Sequence, residues 1–206
     1  MNLIYRIAQS AFIVFITTSV SMPLAAKSAQ NADAIRQEAQ DAYNKQDYAR
    51  VFRLVQTLAE QGDAVAQFNL GSLYVEGLGV AQDYGKARVW FEKAATQSYA
   101  EAQHNLGVLY AKGLGVAQDY NKAREWYEKA AAQGNAGAQN NLGLMYKDGK
   151  GVAQDYGKAR TLLEKASVQG DVKAHRNLRV LYTKDWSVVQ KNSKVGIFKK
   201  SALSPA

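Results

Sequence analysis

Apolar residues fall along this chain in two alternating helical stripes. Ala66, Leu70, Leu73 and Tyr74 stand at i, i+4, i+7 and i+8, one face of an α-helix, called helix A here. Tyr84, Ala87, Trp90, Phe91 and Ala94 draw a second stripe of the same period, helix B. Between them, Gly77 predicts a left-handed residue closing helix A, and Gly79 a second permissive position in the turn. Asp83 stands where an N-cap side chain accepts from the first free amides of helix B. Each pair of stripes therefore predicts a helical hairpin.

The hairpin recurs at a fixed period of 36 residues: the segment beginning at Gly62 returns from Ser98 and again from Gly134. GVAQDY stands unchanged at Gly79 to Tyr84, Gly115 to Tyr120 and Gly151 to Tyr156. A fourth copy starts at Gly170, keeps the pattern as far as Tyr182 and then loses it. Upstream, Gln46-Asp47-Tyr48 lies one period before Gln82-Asp83-Tyr84 and marks a divergent zeroth hairpin. Its turn is short, because Tyr43 and Tyr48 are five apart where Tyr74 and Tyr84 are ten apart. Gly62, Gly134 and Gly170 close each helix B, with Ser98 the exception.

Helices shorter than about 12–15 residues are marginal alone in water, so single hairpins of this size must stack to bury their apolar faces. The predicted fold is all-α, a right-handed α-solenoid of antiparallel helix hairpins. Gly71, Gly107 and Gly143, with Ala87, Ala123 and Ala159, are expected to let one hairpin approach the next. Leu70, Leu106, Leu142 and Leu178, with Tyr74, Tyr110, Tyr146 and Tyr182, are expected to fill the core. Arg179 breaks the glycine column, which marks the last hairpin as a cap.

The ends of the chain read differently from the array. Arg6 and the N-terminal amine precede an apolar run from Ala11 to Val20, and Pro23-Leu24-Ala25-Ala26 ends in small residues, the pattern of a secretory signal cut after Ala26. The run is too short for a transmembrane helix of about 20 apolar residues. The expected organisation is a signal peptide over 1–26, a divergent helical hairpin over 27–61, and repeats over 62–97, 98–133 and 134–169. A partial repeat or cap over 170–183 and a basic tail over 184–206 complete it. An exported protein, periplasmic or secreted, follows from this reading. With no cysteine in the sequence, its stability must come from packing.

The formal charge of +8 lies mostly in the tail: residues 170–206 carry eight Lys and Arg against two acids, and 62–169 carry twelve against eleven. A nucleic-acid-binding body would present many cations in register, so nucleic acid is not an expected partner. The absence of cysteine excludes disulfides and thiol catalysis. His104 and His175 lie 71 residues apart without an HExxH or a carboxylate at metal spacing. The glycine-rich turn lacks the GK[ST] ending of a phosphate loop and occurs three times, as a structural turn would. Glu92, Glu128 and Glu164 each precede a lysine at the same helix position and read as solvated surface. No catalytic residue, metal or cofactor is expected.

The unit A-x-A-Q-x-N-L-G-x-L-Y, G-x-G-V, D-Y-x-K-A-R-x-W-x-E-K-A-A resembles the sel-one-like repeat, a relative of the tetratricopeptide repeat. The resemblance covers residues 33–183 and rests on Leu70, Gly71, Tyr74, Tyr84, Ala87, Phe91 and Ala94. It implies a non-catalytic adaptor that recognises a protein or extended peptide along the concave side of the helix A row. The positions that vary between copies then carry recognition. They are Phe68, His104, Asn140 and Arg176; Val65, Glu101, Gly137 and Lys173; Ser72, Val108, Leu144 and Val180. Phe68 and Leu144 are the expected apolar anchors, and Lys147 and Arg176 the groups for acids.

Asn69, Asn105, Asn141 and Asn177 form a ladder on or beside this face. An amide donates and accepts at once, which suits it either to a peptide backbone or to a neighbouring carbonyl, and the spacing does not separate the two. Two other readings remain. Exported relatives are associated with binding or cleaving cell-wall and β-lactam compounds, but they staple each hairpin with cysteines, absent here. The tail, with Lys184, Lys191, Lys194, Lys199 and Lys200 against Asp185, gives a weak polyanion or envelope-surface contact. The partner's identity and the oligomeric state are not written in these residues.

Overall fold

The computed structural model describes residues 25–182, with side chains from residue 31. The expected signal peptide, apart from its last two residues, and the basic tail lie outside the described residues. The chain divides into two compact units at Gln133 and Gly134. The N-terminal unit holds α1 (Ala25–Asn44), α2 (Tyr48–Glu60), α3 (Ala64–Glu76), α4 (Tyr84–Thr96), α5 (Ala100–Lys112) and α6 (Tyr120–Ala132). The C-terminal unit holds α7 (Ala136–Asp148), α8 (Tyr156–Val168) and a last helix, α9, over 172–182. Among the described residues there is no strand, and no helix is long and apolar enough to cross a membrane. The fold is all-α, a solenoid-type array of helix hairpins.

Each hairpin is built by the same local devices. Asp83, Asp119 and Asp155 cap α4, α6 and α8, accepting from the backbone amides of Lys86, Lys122 and Lys158 at 2.9, 3.0 and 2.9 Å. Gly77, Gly113 and Gly149 end α3, α5 and α7 in the left-handed conformation. The turn between is pinned by its glutamine: Gln82 Nε2 donates to the Val75 carbonyl at 2.6 Å and to the Tyr84 hydroxyl at 3.2 Å. Gln118 and Gln154 do the same one and two periods later. In the zeroth hairpin the turn shrinks to residues 45–47, with Gln46 at φ 60°.

Thirteen-residue helices such as α3, α4 and α5 are too short to persist alone, and packing on several sides is what holds them. In the N-terminal unit each helix packs on the next. One cluster joins Val51, Val55 and Leu58 of α2 to Leu70 and Leu73 of α3, and a second joins Phe68, Val75, Phe91, Leu106 and Leu109. Burial of each such side chain contributes about 1.5–3 kcal/mol. In the C-terminal unit, Leu163 and Ala166 of α8 meet Ala174 and Leu181 of α9.

The glycine columns divide their work differently from the expectation. A Cβ on Gly71 would lie 2.6 Å from the Phe91 ring, and one on Gly107 2.5 Å from the Tyr127 ring. These glycines admit the large residue of their own hairpin's helix B, not the next hairpin. Close approach between successive hairpins falls instead to the turn. A Cβ on Gly79 would lie 2.0 Å from the Tyr48 carbonyl oxygen, and one on Gly115 2.4 Å from the Tyr84 carbonyl carbon. These two turns therefore seat their backbone on the first residue of the preceding helix B.

Candidate functional site

In the N-terminal unit the variable columns are far less open than their variability implied. Phe68 is 2% exposed, its ring 5.7 Å from Phe91 and 5.2 Å from Tyr99. It is a core residue, which corrects its reading as an open apolar anchor. Ser72 and Val108 are buried too, and the Ser72 hydroxyl donates to the Phe68 carbonyl at 3.1 Å. Val65, Glu101 and His104 are half-buried, with the His104 ring 5.9 Å from Tyr127. The physical reason is that α3 has neighbours on nearly every side: residues 66–73 are buried without interruption.

Asn69 and Asn105 share this environment, at 6% and 4% exposure. Among the described residues, neither side-chain amide makes a hydrogen bond.

The C-terminal unit treats the same columns otherwise. Asn140 is buried, Gly137, Asn141, Leu144, Lys147 and Asn177 are half-buried, and Lys173, Arg176 and Val180 are exposed. Here the amides bond to one another: Asn177 Nδ2 donates to Asn140 Oδ1 at 2.8 Å, and Asn140 Nδ2 to Asn141 Oδ1 at 3.3 Å. Lys147 pairs with its neighbour Asp148 at 3.1 Å.

A second amide system went unread in the sequence. Gln67 Nε2 donates to the Ala59 carbonyl at 3.2 Å, and its Oε1 accepts from Gln97 Nε2 at 2.9 Å. Gln103 repeats this with Ala95 at 3.2 Å and Gln133 at 2.8 Å, and Gln169 donates to Gln139 at 2.8 Å. Each pair ties the start of helix A to the end of helix B, thirty residues on. The signal was present, since Gln67 and Gln97 recur without change through the three full repeats, but an invariant polar residue in a helix suggests surface until both partners are placed. At the fourth copy His175 takes the column and lies 3.3 Å from the Ser167 hydroxyl.

Electrostatically the repeat is quiet. Lys86, Lys122 and Lys158 lie over the rings of Tyr74, Tyr110 and Tyr146 at 5.6, 5.5 and 5.2 Å, cation–π contacts of about 0.5–1 kcal/mol each. The amide of Lys86 holds the Asp83 carboxyl below its ordinary range. Two groups depart from the pattern by burial: the Tyr99 hydroxyl is pushed up to about 12, and the Glu76 carboxyl, whose Oε1 has no partner, up to about 7. Tyr99 also stands at the N-cap of α5, where it supplies no side-chain bond, whereas Asp63 and Asn135 cap α3 and α7. Among the described residues no group of His, Cys, Asp or Glu is arranged to hold a metal.

The Sel1 repeat family matches residues 64–99, 100–135 and 136–171. Among solved structures, the chain is similar to a Sel1 repeat protein from Oxalobacter formigenes, at 33% identity over 71% of this chain and 60% of that one, with a TM-score of 0.65. It is also similar to a protective antigen of uropathogenic Escherichia coli strains that displays an SLR fold. There the identity is 30% over 90% of this chain and 37% of that one, with a TM-score of 0.73. The chain thus spans less than two thirds of the length of either structure. A comparison with curated proteins finds no match. Three contiguous matched copies, each carrying the capped hairpin and its glutamine tie, make the chain a member of the Sel1 repeat family, whose members are generally protein-interaction scaffolds on a non-catalytic fold.

Proposed function

We propose that this protein is an exported adaptor that recognises an extended segment of another protein through helix A residues, and that Asn69 and Asn105 grip the partner's backbone. One observation carries the reading. These two amides sit one period apart in the same unit, nearly enclosed, and unlike the glutamines beside them they bond to no described residue. A peptide backbone supplies one donor and one acceptor per residue and would satisfy both amides without regard to side chains. Glu101 and His104, half-buried on the same helix as Asn105, give the site polar contacts for a partner's side chains. In the C-terminal unit, Leu144, Lys147, Lys173 and Arg176 remain accessible for further contact. Export to the periplasm or beyond is supported by Arg6, the apolar run and the small residues up to Ala26.

The test is crosslinking in intact cells, followed by pull-down with the Asn69→Ala/Asn105→Ala variant. Loss of the captured partner with an unchanged Tm supports the grip. A fall in Tm, or full capture by the variant, removes it.

A further inference from the structure

The second repeat breaks the rules of the array at its first residues. Ser98 sits in the left-handed region at φ 63°, where Gly62, Gly134 and Gly170 stand in the other copies. Tyr99 occupies the N-cap of α5 without a side-chain bond, where Asp63 and Asn135 cap α3 and α7. Both departures cost stability, one by holding a side chain at positive φ and the other by forgoing a cap. Local rules broken together at one place point to a use.

The lining at this place is also different. The Tyr99 ring lies 5.2 Å from Phe68, and burial, then the charges of Glu101 and Asp63, raise its hydroxyl. Those three side chains are therefore within electrostatic reach of one another. Asp63 is already engaged: Oδ1 accepts from the Ala66 amide at 2.7 Å and Oδ2 from the Arg36 guanidinium at 2.5 Å, and the same guanidinium reaches Asp33 at 2.7 Å. Glu101 is half-buried and, among the described residues, has neither a hydrogen bond nor an ion pair. One turn on, on the same face of α5, stands Asn105, 4% exposed and likewise unbonded.

Charge decides what fits here. Asp33, Asp63 and Glu101 set three negative charges against the one positive charge of Arg36. The N-termini of α3 and α5 return about half a positive charge each, which leaves about one negative charge uncompensated. No cation of either helix supplies the balance: α3 has none, and Lys112 is the last residue of α5, eleven positions beyond Glu101. An acidic segment is repelled at this end of α5, and an uncharged one leaves the Glu101 carboxylate partly desolvated without a partner. A lysine or arginine meets it with a charge-assisted hydrogen bond. Arg36 illustrates the match, since its guanidinium already bridges two of the three carboxylates.

We propose that Glu101 selects for a lysine or arginine in the segment that Asn69 and Asn105 grip, so that the partner presents a basic side chain at the start of α5. This rests on the peptide reading and names the chemistry of its partner. Random peptides of about twelve residues displayed on phage are selected on the full chain, on Glu101→Gln and on Asn69→Ala/Asn105→Ala. The unaltered chain is expected to enrich Lys or Arg at one position, against its formal charge of +8, which by unspecific attraction favours acidic peptides. For a selected peptide followed by fluorescence anisotropy, replacing that basic residue by Gln should weaken binding about tenfold or more. On Glu101→Gln the same replacement should change it by less than about twofold, a comparison in which any general loss of binding by the variant cancels. Peptides that need Asn69 and Asn105 but share no basic position, or a basic residue whose replacement matters equally on Glu101→Gln, would overturn the selection and leave the amide grip standing. Peptides captured equally by Asn69→Ala/Asn105→Ala, or no captured peptide at all, would overturn both.

Discussion

The asparagine column tells two stories in the two units. In the N-terminal unit, Asn69 and Asn105 are almost enclosed and unbonded, while in the C-terminal unit Asn177, Asn140 and Asn141 close into a chain of amides. The asparagine column thus bonds internally in one unit, through Asn140 of the column beside it, and to no described residue in the other. The column beside it divides in the same way, with Phe68 deep in the core and Arg176 in water. A repeat fixes the backbone path, and each copy then spends its variable positions according to what surrounds it.

The widest gap should open at Phe68 and Arg176. Phe68→Ala empties a site against Phe91 and Tyr99 and should cost about 3–5 kcal/mol, whereas Arg176→Ala should stay within about 0.5 kcal/mol, both read by urea unfolding. Equal losses would dissolve the distinction. Next, Asn140→Ala removes the acceptor of the Asn177 amide and one of the contacts of Asn141 and should cost about 2 kcal/mol, where Asn105→Ala should leave the midpoint nearly unchanged.

A pH series separates Glu76 from its column mate Asp148, which is ion-paired at the surface. Burial raises the Glu76 carboxyl from 4.5 to about 7, so the folded state holds its proton more tightly than the unfolded state. That contribution to stability is complete below about 4.5 and is lost as pH rises through about 7. Glu76→Gln should flatten the melting profile across this window. A profile identical to that of the unaltered chain would assign the slope elsewhere.

The smallest effect lies at the ends of the B helices. Ser98 is held at φ 63°, where Gly134 stands at φ 88° in the corresponding place. Ser98→Gly should raise stability by about 0.5 kcal/mol, and Gly134→Ser should lower it by a similar amount. A gain from both would mean that these joints are not under the same backbone constraint.

Much of this architecture was legible because its devices repeat. The period, the aspartate caps at Asp83, Asp119 and Asp155, and the left-handed Gly77 follow from residue types whose local chemistry admits few alternatives. Phe68 was misplaced because a single stripe of period 3.6 assumes a helix with a wet side, and α3 lacks one along residues 66–73. Gly71 was assigned to the wrong neighbour because small residues announce close approach without saying by what. The glutamine ties escaped because Gln67 and Gln97 are joined only once thirty residues of chain have folded between them. Of the candidate site, the columns could be read, but not which members had been drawn into the interior.

The seats of Gly79 on Tyr48 and of Gly115 on Tyr84 bring main chain against main chain, so the spacing of adjoining modules there depends on the glycine's missing Cβ and not on the tyrosine ring. The first full repeat carries both halves of that joint, Gly79 ahead and Tyr84 behind. Tandem duplication or loss of a whole period would accordingly arrive with its coupling already made, leaving the length of such an array free to drift while its pitch stays constant.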